Sequence, residues 1–327
     1  MKILFTALVL SLFSLAGAQE PGTSLRLEKA IPLGKVNGRI DHMALDVQGG
    51  RLFVAALGNN TVEVVDLKTG EKTKSLSGFD EPQGIFYVSE FDKLFIANGS
   101  DGMCRILDGH SFKTITTIRL GDDADNVRYD EKAKQIYVGY GDGALAVIDA
   151  KANIKLADIK LPAHPESFRI ETNGPRIFVN VPGVDQISVV DREKKTVVAT
   201  WPMKEAKSNF PMILDEPNHR LFVGCRHPAR LLILDMTSGK VLGSVEISGD
   251  TDDVFYDAQR KQIYVSCGAG FVDVIKPSET GAQRWDRFPT VSGARTSFFS
   301  PEIGELYLAV PAGFLSGSAE IRLYKPQ

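Results

Sequence analysis

Leu52-Phe53-Val54-Ala55-Ala56-Leu57-Gly58-Asn59-Asn60-Thr61-Val62-Glu63-Val64-Val65-Asp66 holds the fold in miniature. An aliphatic, an aromatic, an aliphatic and a small residue open it, and an alternating apolar run closes it at a carboxylate. Both runs are rich in β-branched and aromatic side chains, as half-buried strands require. The opening tetrad recurs as Leu94-Phe95-Ile96-Ala97, Ile136-Tyr137-Val138-Gly139, Ile177-Phe178-Val179-Asn180, Leu221-Phe222-Val223-Gly224, Ile263-Tyr264-Val265-Ser266 and Leu306-Tyr307-Leu308-Ala309. Their first residues stand 42, 42, 41, 44, 42 and 43 positions apart. Each tetrad follows a strand ending in a turn, as at Leu45-Asp46 and Leu214-Asp215, and precedes a third strand such as Arg230-Leu231-Leu232-Ile233-Leu234-Asp235. Turn residues then lead to a fourth, as in Lys68-Thr69-Gly70-Glu71 and Thr237-Ser238-Gly239-Lys240. Four short strands about every 42 residues predict one blade per repeat, and seven repeats predict an all-β seven-bladed β-propeller.

The ring must close. The last repeat ends on a third strand, Ala319-Glu320-Ile321-Arg322-Leu323-Tyr324, with no fourth after it. Lys29-Ala30-Ile31-Pro32-Leu33-Gly34 reads like Thr116-Thr117-Ile118-Arg119-Leu120-Gly121, the fourth strand of the second repeat. Residues 24–34 are therefore expected to complete blade seven and remove a free sheet edge. No linker interrupts the repeats, so residues 19–327 are expected to form one domain.

The amino terminus reads as a processing segment. Lys2 supplies a positive charge, Ile3 to Leu15 is apolar, and Ala16-Gly17-Ala18 is a small-x-small cleavage site. A signal peptide over 1–18, a mature start near Gln19 and a periplasmic or secreted protein are expected, with no membrane span in the mature chain. The full chain of 327 residues carries 38 Lys+Arg against 41 Asp+Glu, a formal charge of -3, without a basic run. That balance argues against nucleic acid as the partner.

The repeats resemble the YVTN (YncE-like) family of bacterial seven-bladed propellers. The likeness rests on the stretch from Leu52 to Asp66 and on Gln135-Ile136-Tyr137-Val138 through Leu145-Ala146-Val147-Ile148-Asp149. It implies the propeller fold and is nearly silent on function, because such propellers serve as surface-layer repeats, as proteins of unassigned role and as heavy subunits of periplasmic amine dehydrogenases. Asp66, Asp108, Asp149, Asp191 and Asp235, one at the same place in successive repeats, read as turn carboxylates.

Propeller geometry puts the turns between strands one and two, and three and four, on one face. The loops leading into each blade, and those between strands two and three, lie on the other. Counting back eleven and ten residues from each tetrad finds the first residues of the innermost strands: Asp41-His42, Gln83-Gly84, Asp125-Asn126, Glu166-Ser167, Phe210-Pro211, Asp252-Asp253 and Arg295-Thr296. Arg39, Glu81, His164 and Asn209 lie one or two residues upstream. A generic repeat would place similar groups in every blade; here the blades differ. Arg39, Asp41, His42, Gln83, Asp125, Asn126, His164, Glu166, Asn209, Asp252, Asp253 and Arg295 are the expected ligand-binding residues, converging on one mouth of the channel. Clustered carboxylates perturb one another unless paired, protonated or metal-bound. Were these groups structural only, they would hold channel water and pair as ions, Arg295 with Asp252 or Asp253 for example. Arg226-His227-Pro228-Ala229-Arg230 and Tyr140-Gly141-Asp142-Gly143 lie on the same face and are expected to widen the site.

His42, Asn126, Glu166, Asn209 and Asp253 are candidate ligands for a divalent cation such as calcium. That plan resembles the gluconolactonase-like propellers, which hold an ion at the channel mouth but are six-bladed and share no motif with this chain. Cys225 and Cys267 occupy equivalent places in adjacent blades and, with Cys104, are expected to be buried thiols. No Cys-x-x-Cys-His is present, so covalent haem is excluded, and the phosphate-loop and nucleophile-elbow patterns are absent too. The expectation is a monomeric, non-enzymatic protein binding a small polar ligand or a periplasmic protein partner. The alternative is a metal-dependent, lactonase-like hydrolase in which Glu166 or Asp125 activates water.

Overall fold

The aliphatic-aromatic tetrads are the second strands of seven four-stranded antiparallel sheets. They run Arg51–Ala56, Lys93–Asn98, Gln135–Tyr140, Arg176–Val181, Arg220–His227, Gln262–Cys267 and Glu305–Val310. In this computed structural model, residues 24–279, 281–313 and 317–327 are described. The leader expected over 1–18 lies outside them.

The aromatic residue of each tetrad, Phe53 through Tyr307, is almost wholly buried, because both faces of a blade pack against neighbouring blades. Burying one such side chain is worth about 1.5–3 kcal/mol. The core therefore sits between blades: Phe95 of blade two packs with Ile136, Val138 and Ile148 of blade three. The same packing closes the ring, since Leu52 and Val54 of blade one share a cluster with Tyr307, Ala309 and Ile321 of blade seven.

Closure is made as the repeat count requires. The strand Leu25–Gly34 pairs antiparallel with Ala319–Pro326, in a register running from Leu25 against Pro326, through Ile31 against Ile321, to Gly34 against Ala319. Ser24 Oγ donates to Asp286 at 2.6 Å, tying the start of the closing strand to blade six.

The face carrying the turns between strands one and two is built for structure. In three blades an arginine opening strand two returns to the carboxylate near the end of strand one and reaches on to a carbonyl of the next blade. Arg51 joins Asp46 to Gly109 O at 2.6 Å, Arg176 joins Glu171 to Met236 O at 2.6 Å, and Arg220 joins Asp215 to Ser278 O at 2.5 Å. The turn carboxylates behave as read: Asp66 accepts from Thr69 N–H at 2.8 Å, Asp108 from Ser111 at 2.7 Å, Asp149 from Ala152 at 2.7 Å, Asp191 from Lys194 at 2.9 Å and Asp235 from Ser238 at 2.7 Å. Cys104, Cys225 and Cys267 are free, buried thiols, and burial pushes those of Cys104 and Cys225 up to about 12.

Candidate functional site

The innermost strands Met43–Asp46, Pro82–Val88, Val127–Asp130, Phe168–Ile170, Lys207–Asp215, Thr251–Asp257 and Ser297–Ser300 surround the channel. The residues leading into them are brought together at one end of it, beside a cavity of about 410 Å³. Arg39, Gln83, Asp125, His164, Glu166, Asp252 and Arg295 line that cavity. Asp41, His42 and Asn126 border an adjoining void of about 20 Å³, shared with Arg39, Asp125, Glu166 and Asp252. Gly84 is part of this placement: a Cβ there would fall 1.9 Å from the carbonyl oxygen of Asp125, so glycine lets the second blade's inner strand come close enough to seat that residue.

Two of the expected residues stand apart from these cavities. Asn209 is fully buried and donates to Asn180 Oδ1 at 2.7 Å and to the carbonyl of Gln186 at 3.0 Å, holding blades four and five together. Asp253 lies deeper, accepting the Ser297 N–H at 2.8 Å, with Arg128 among its charged neighbours.

Ion pairs organise one side of the mouth. Arg226 stacks on Phe210, its guanidinium carbon 3.6 Å from the ring centre, and donates to Asp252 at 2.6 Å. Arg295 bonds Asp250 at 2.9 Å and lies 3.4 Å from the other oxygen of Asp252, the pairing a structural role for these groups calls for. Arg39 donates to Asp41 Oδ2 at 2.7 Å. On the opposite side, Gln83 donates to Asp123 at 2.9 Å, and His164 Nδ1 contacts the Gly141 carbonyl at 2.8 Å. The Glu166 carboxyl has neither a hydrogen bond nor an ion pair with any described residue.

Burial dominates the titration of the acids. It raises Glu166 to about 7, with Asp252 adding to the rise and His164 and Arg226 opposing it. It raises Asp253 to about 7 as well, again with Asp252 adding. Asp125 is pushed well above the ordinary carboxylate range, first by burial and then by Asp41 and Glu166. Asp41 and Asp252 also move up, chiefly through burial. His42 is driven down to about 3 by burial and by the Arg128 guanidinium, so its imidazole is neutral at neutral pH.

Beneath this layer, Arg128 and Arg169 occupy equivalent register positions, opposite Tyr137 and Phe178. Burial and the charge of Arg128 lower Arg169 to about 9. These arginines, with Phe210 and Asp123, complete the site beyond the expected set, and Arg226 joins it from the loop expected to widen the site. Phe210 was already one of the aligned leading residues, and both deep arginines lie two places past a strand lead, so their common register was the available signal. Asp123 stands two places before Asp125, as Arg39, Glu81 and His164 stand before Asp41, Gln83 and Glu166, so the same count back from the tetrads was its signal.

A larger cavity of about 530 Å³ opens among the turns of the other face, lined by Phe86, Tyr129 and Phe298. Its Glu90 is already paired with Lys134 at 2.8 Å and with the Tyr129 hydroxyl, so it offers less unmet polar chemistry than the smaller mouth.

Fold and site together define a seven-bladed β-propeller whose symmetric frame carries one asymmetric, ionisable mouth. Its sequence is similar to that of YncE from Salmonella typhimurium (strain LT2), described as uncharacterized, at 21% identity over 226 residues. The YncE of Salmonella typhi matches equally, at 21%. In each case the match spans 64% of this chain and 63% of the relative, somewhat under two thirds of its length. No family model matches the chain. Among solved structures, a chain of the mitotic checkpoint complex superposes with a TM-score of 0.78 at 13% identity, covering 98% of this chain and 99% of that one. Hydrazine synthase of Kuenenia stuttgartiensis gives 0.75 at 17% identity, covering 88% and 97%. At such identities these likenesses establish the fold alone. No helix among the described residues is long and apolar enough to cross a membrane.

Proposed function

We propose that the protein is an exported, non-enzymatic, YncE-like binding propeller. It loses residues 1–18 and holds a small polar or anionic ligand, or a partner presenting such a group, in the mouth between Arg39, Glu166, Arg226 and Arg295. The observation that carries this reading is the convergence of unlike ionisable groups, contributed by separate blades, on a cavity of about 410 Å³. A repeat scaffold needs no such asymmetry for stability: the arginine ties that recur from blade to blade lie on the opposite face. Guanidiniums beside carboxylates suit a ligand that pairs an anionic end with a hydroxyl or ammonium group. The Glu166 carboxyl, without a hydrogen-bond partner among the described residues, is the acceptor or donor such a group would meet.

The reading is tested by a thermal-shift screen of the purified protein against amino acids, hydroxy acids and sugar acids. A stabilising compound whose effect disappears in Glu166→Gln and Arg295→Gln supports it. No stabilisation across the panel, together with no co-purifying small molecule by native mass spectrometry, refutes it. Export is tested separately, by fractionating cells and sequencing the amino terminus of the mature protein. A cytoplasmic chain that retains Met1 would overturn that part.

A further inference from the structure

At the floor of the mouth, three donor atoms face one another without satisfying one another. His42 Nε2 lies 3.8 Å from Asp41 Oδ1 and 3.6 Å from Asp125 Oδ1, and all three atoms fall within 4.8 Å of each other. These separations are too long for hydrogen bonds.

The second oxygen of each carboxylate is held from outside. Arg39 donates to Asp41 Oδ2 at 2.7 Å, and Asn126 donates to Asp125 Oδ2 at 3.2 Å. Asn126 is itself fixed by Arg128, which donates to its carbonyl oxygen at 2.8 Å. Outer partners that turn one oxygen of a carboxylate inward are the usual support of a ligating group. Asp125 is only 7% exposed, and its inward Oδ1 is shut off from water with no hydrogen-bond partner among the described residues. An isolated buried carboxylate oxygen is costly, and a cation removes that cost. The void beside the three residues, about 20 Å³, is the size of a single small guest.

We propose that Asp41, His42 and Asp125 bind one divalent first-row metal ion. One imidazole nitrogen with two carboxylate oxygens suits zinc or manganese, whereas calcium favours an all-oxygen shell. The triad differs from the donor set expected from sequence, sharing only His42 with it, because Asn209 is committed between blades and Asn126 supports Asp125. Arg39 and Arg128 flank the triad, each engaged with an acceptor, and Asp252 and Asp253 offset their charge. The inference rests on reading this mouth as a binding site: the ion's remaining positions would face the cavity and accept an oxygen of the bound ligand.

The experiment is calorimetric titration of the full chain, stripped with chelator, with zinc chloride and with manganese chloride, followed by anomalous diffraction from a soaked crystal. One ion per chain is expected, bonded to Asp41, His42 and Asp125, and affinity should fall at least tenfold in both Asp125→Asn and His42→Gln. Asp235→Ala, in a turn on the opposite face, should bind the ion as the wild type does. Absence of stoichiometric binding to the wild type overturns the proposal, as does an anomalous peak elsewhere or unchanged affinity in both triad variants. Should the variants fail to fold, the position of the wild-type peak decides. A chelator-stripped protein that binds no metal yet still responds to the carboxylate panel refutes the ion alone; an ion bound in the triad with no response to the panel refutes the ligand reading alone.

Discussion

Replacing Glu166 by Gln should flatten the dependence of stability on pH. Burial raises this carboxyl from an ordinary 4.5 to about 7 in the folded protein. The folded state therefore holds the proton more tightly than the unfolded chain. Its contribution is fully present below pH 4.5 and is lost as the pH rises through about 7, because above that point a buried charge must be tolerated. At about 1.36 kcal/mol per pKa unit, the gap between the two values sets a ceiling of about 3 kcal/mol. Water reaching the half-buried side chain reduces this to roughly 1–3 kcal/mol. The assay is urea unfolding followed by the fluorescence of Trp201 and Trp285, at pH 5 and pH 8. Wild type should be less stable at pH 8, and in Glu166→Gln the difference between the two conditions should shrink by roughly 1–3 kcal/mol. A residual difference belongs to Asp253, which burial also raises to about 7, and to Asp41, Asp125 and Asp252, which burial moves up as well. An unchanged difference in the variant would show that Glu166 is solvated or paired in solution and would refute the reasoning.

Deleting Ser24 to Gly34 exposes the edge of Ala319–Pro326, and the yield of soluble protein should collapse; a truncated chain as stable as wild type would sink the account of closure. Asn209→Ala leaves Asn180 Oδ1 and the Gln186 carbonyl without a donor, costing about 2–4 kcal/mol in denaturant unfolding while the response to metal or carboxylates persists. Cys104, Cys225 and Cys267 should titrate as three thiols in denaturant under conditions that block oxidation, and to react slowly in the native state; one thiol only would reveal a bridge. Asp235→Ala removes a turn acceptor on the face opposite the mouth, so it should lower the melting temperature slightly and leave ligand response intact. Selective loss of ligand response in that variant would mean the two faces are reversed.

Much of this was legible in the sequence because a propeller is read from local periodicity. The tetrads from Leu52 to Leu306 each occupy the same burial environment, and a buried strand needs the same residue types wherever it recurs. Closure was legible for the same reason: the last repeat lacked a strand that Lys29 to Gly34 resembled, and Ile31 does stand against Ile321. Counting back from the tetrads found Asp41, Asp125, Glu166, Asp252 and Arg295 at one mouth, since equal offsets on equivalent strands give equal heights in the channel. What counting could not supply was the direction of each side chain. Asn209 lies next to Phe210 in the chain, yet its amide turns between blades while the Phe210 ring faces the mouth and carries Arg226. Asp41, His42 and Asp125 share one corner only because the closed ring brings the leads into the first and third blades within reach of each other. Such contacts join residues more than 80 positions apart, and they depend on rotamers and blade angles that no local pattern encodes. The amino-acid sequence by itself determined the architecture and the height of each polar group; the tertiary structure decided which of those groups meet, because desolvation and pairing depend on distance in space.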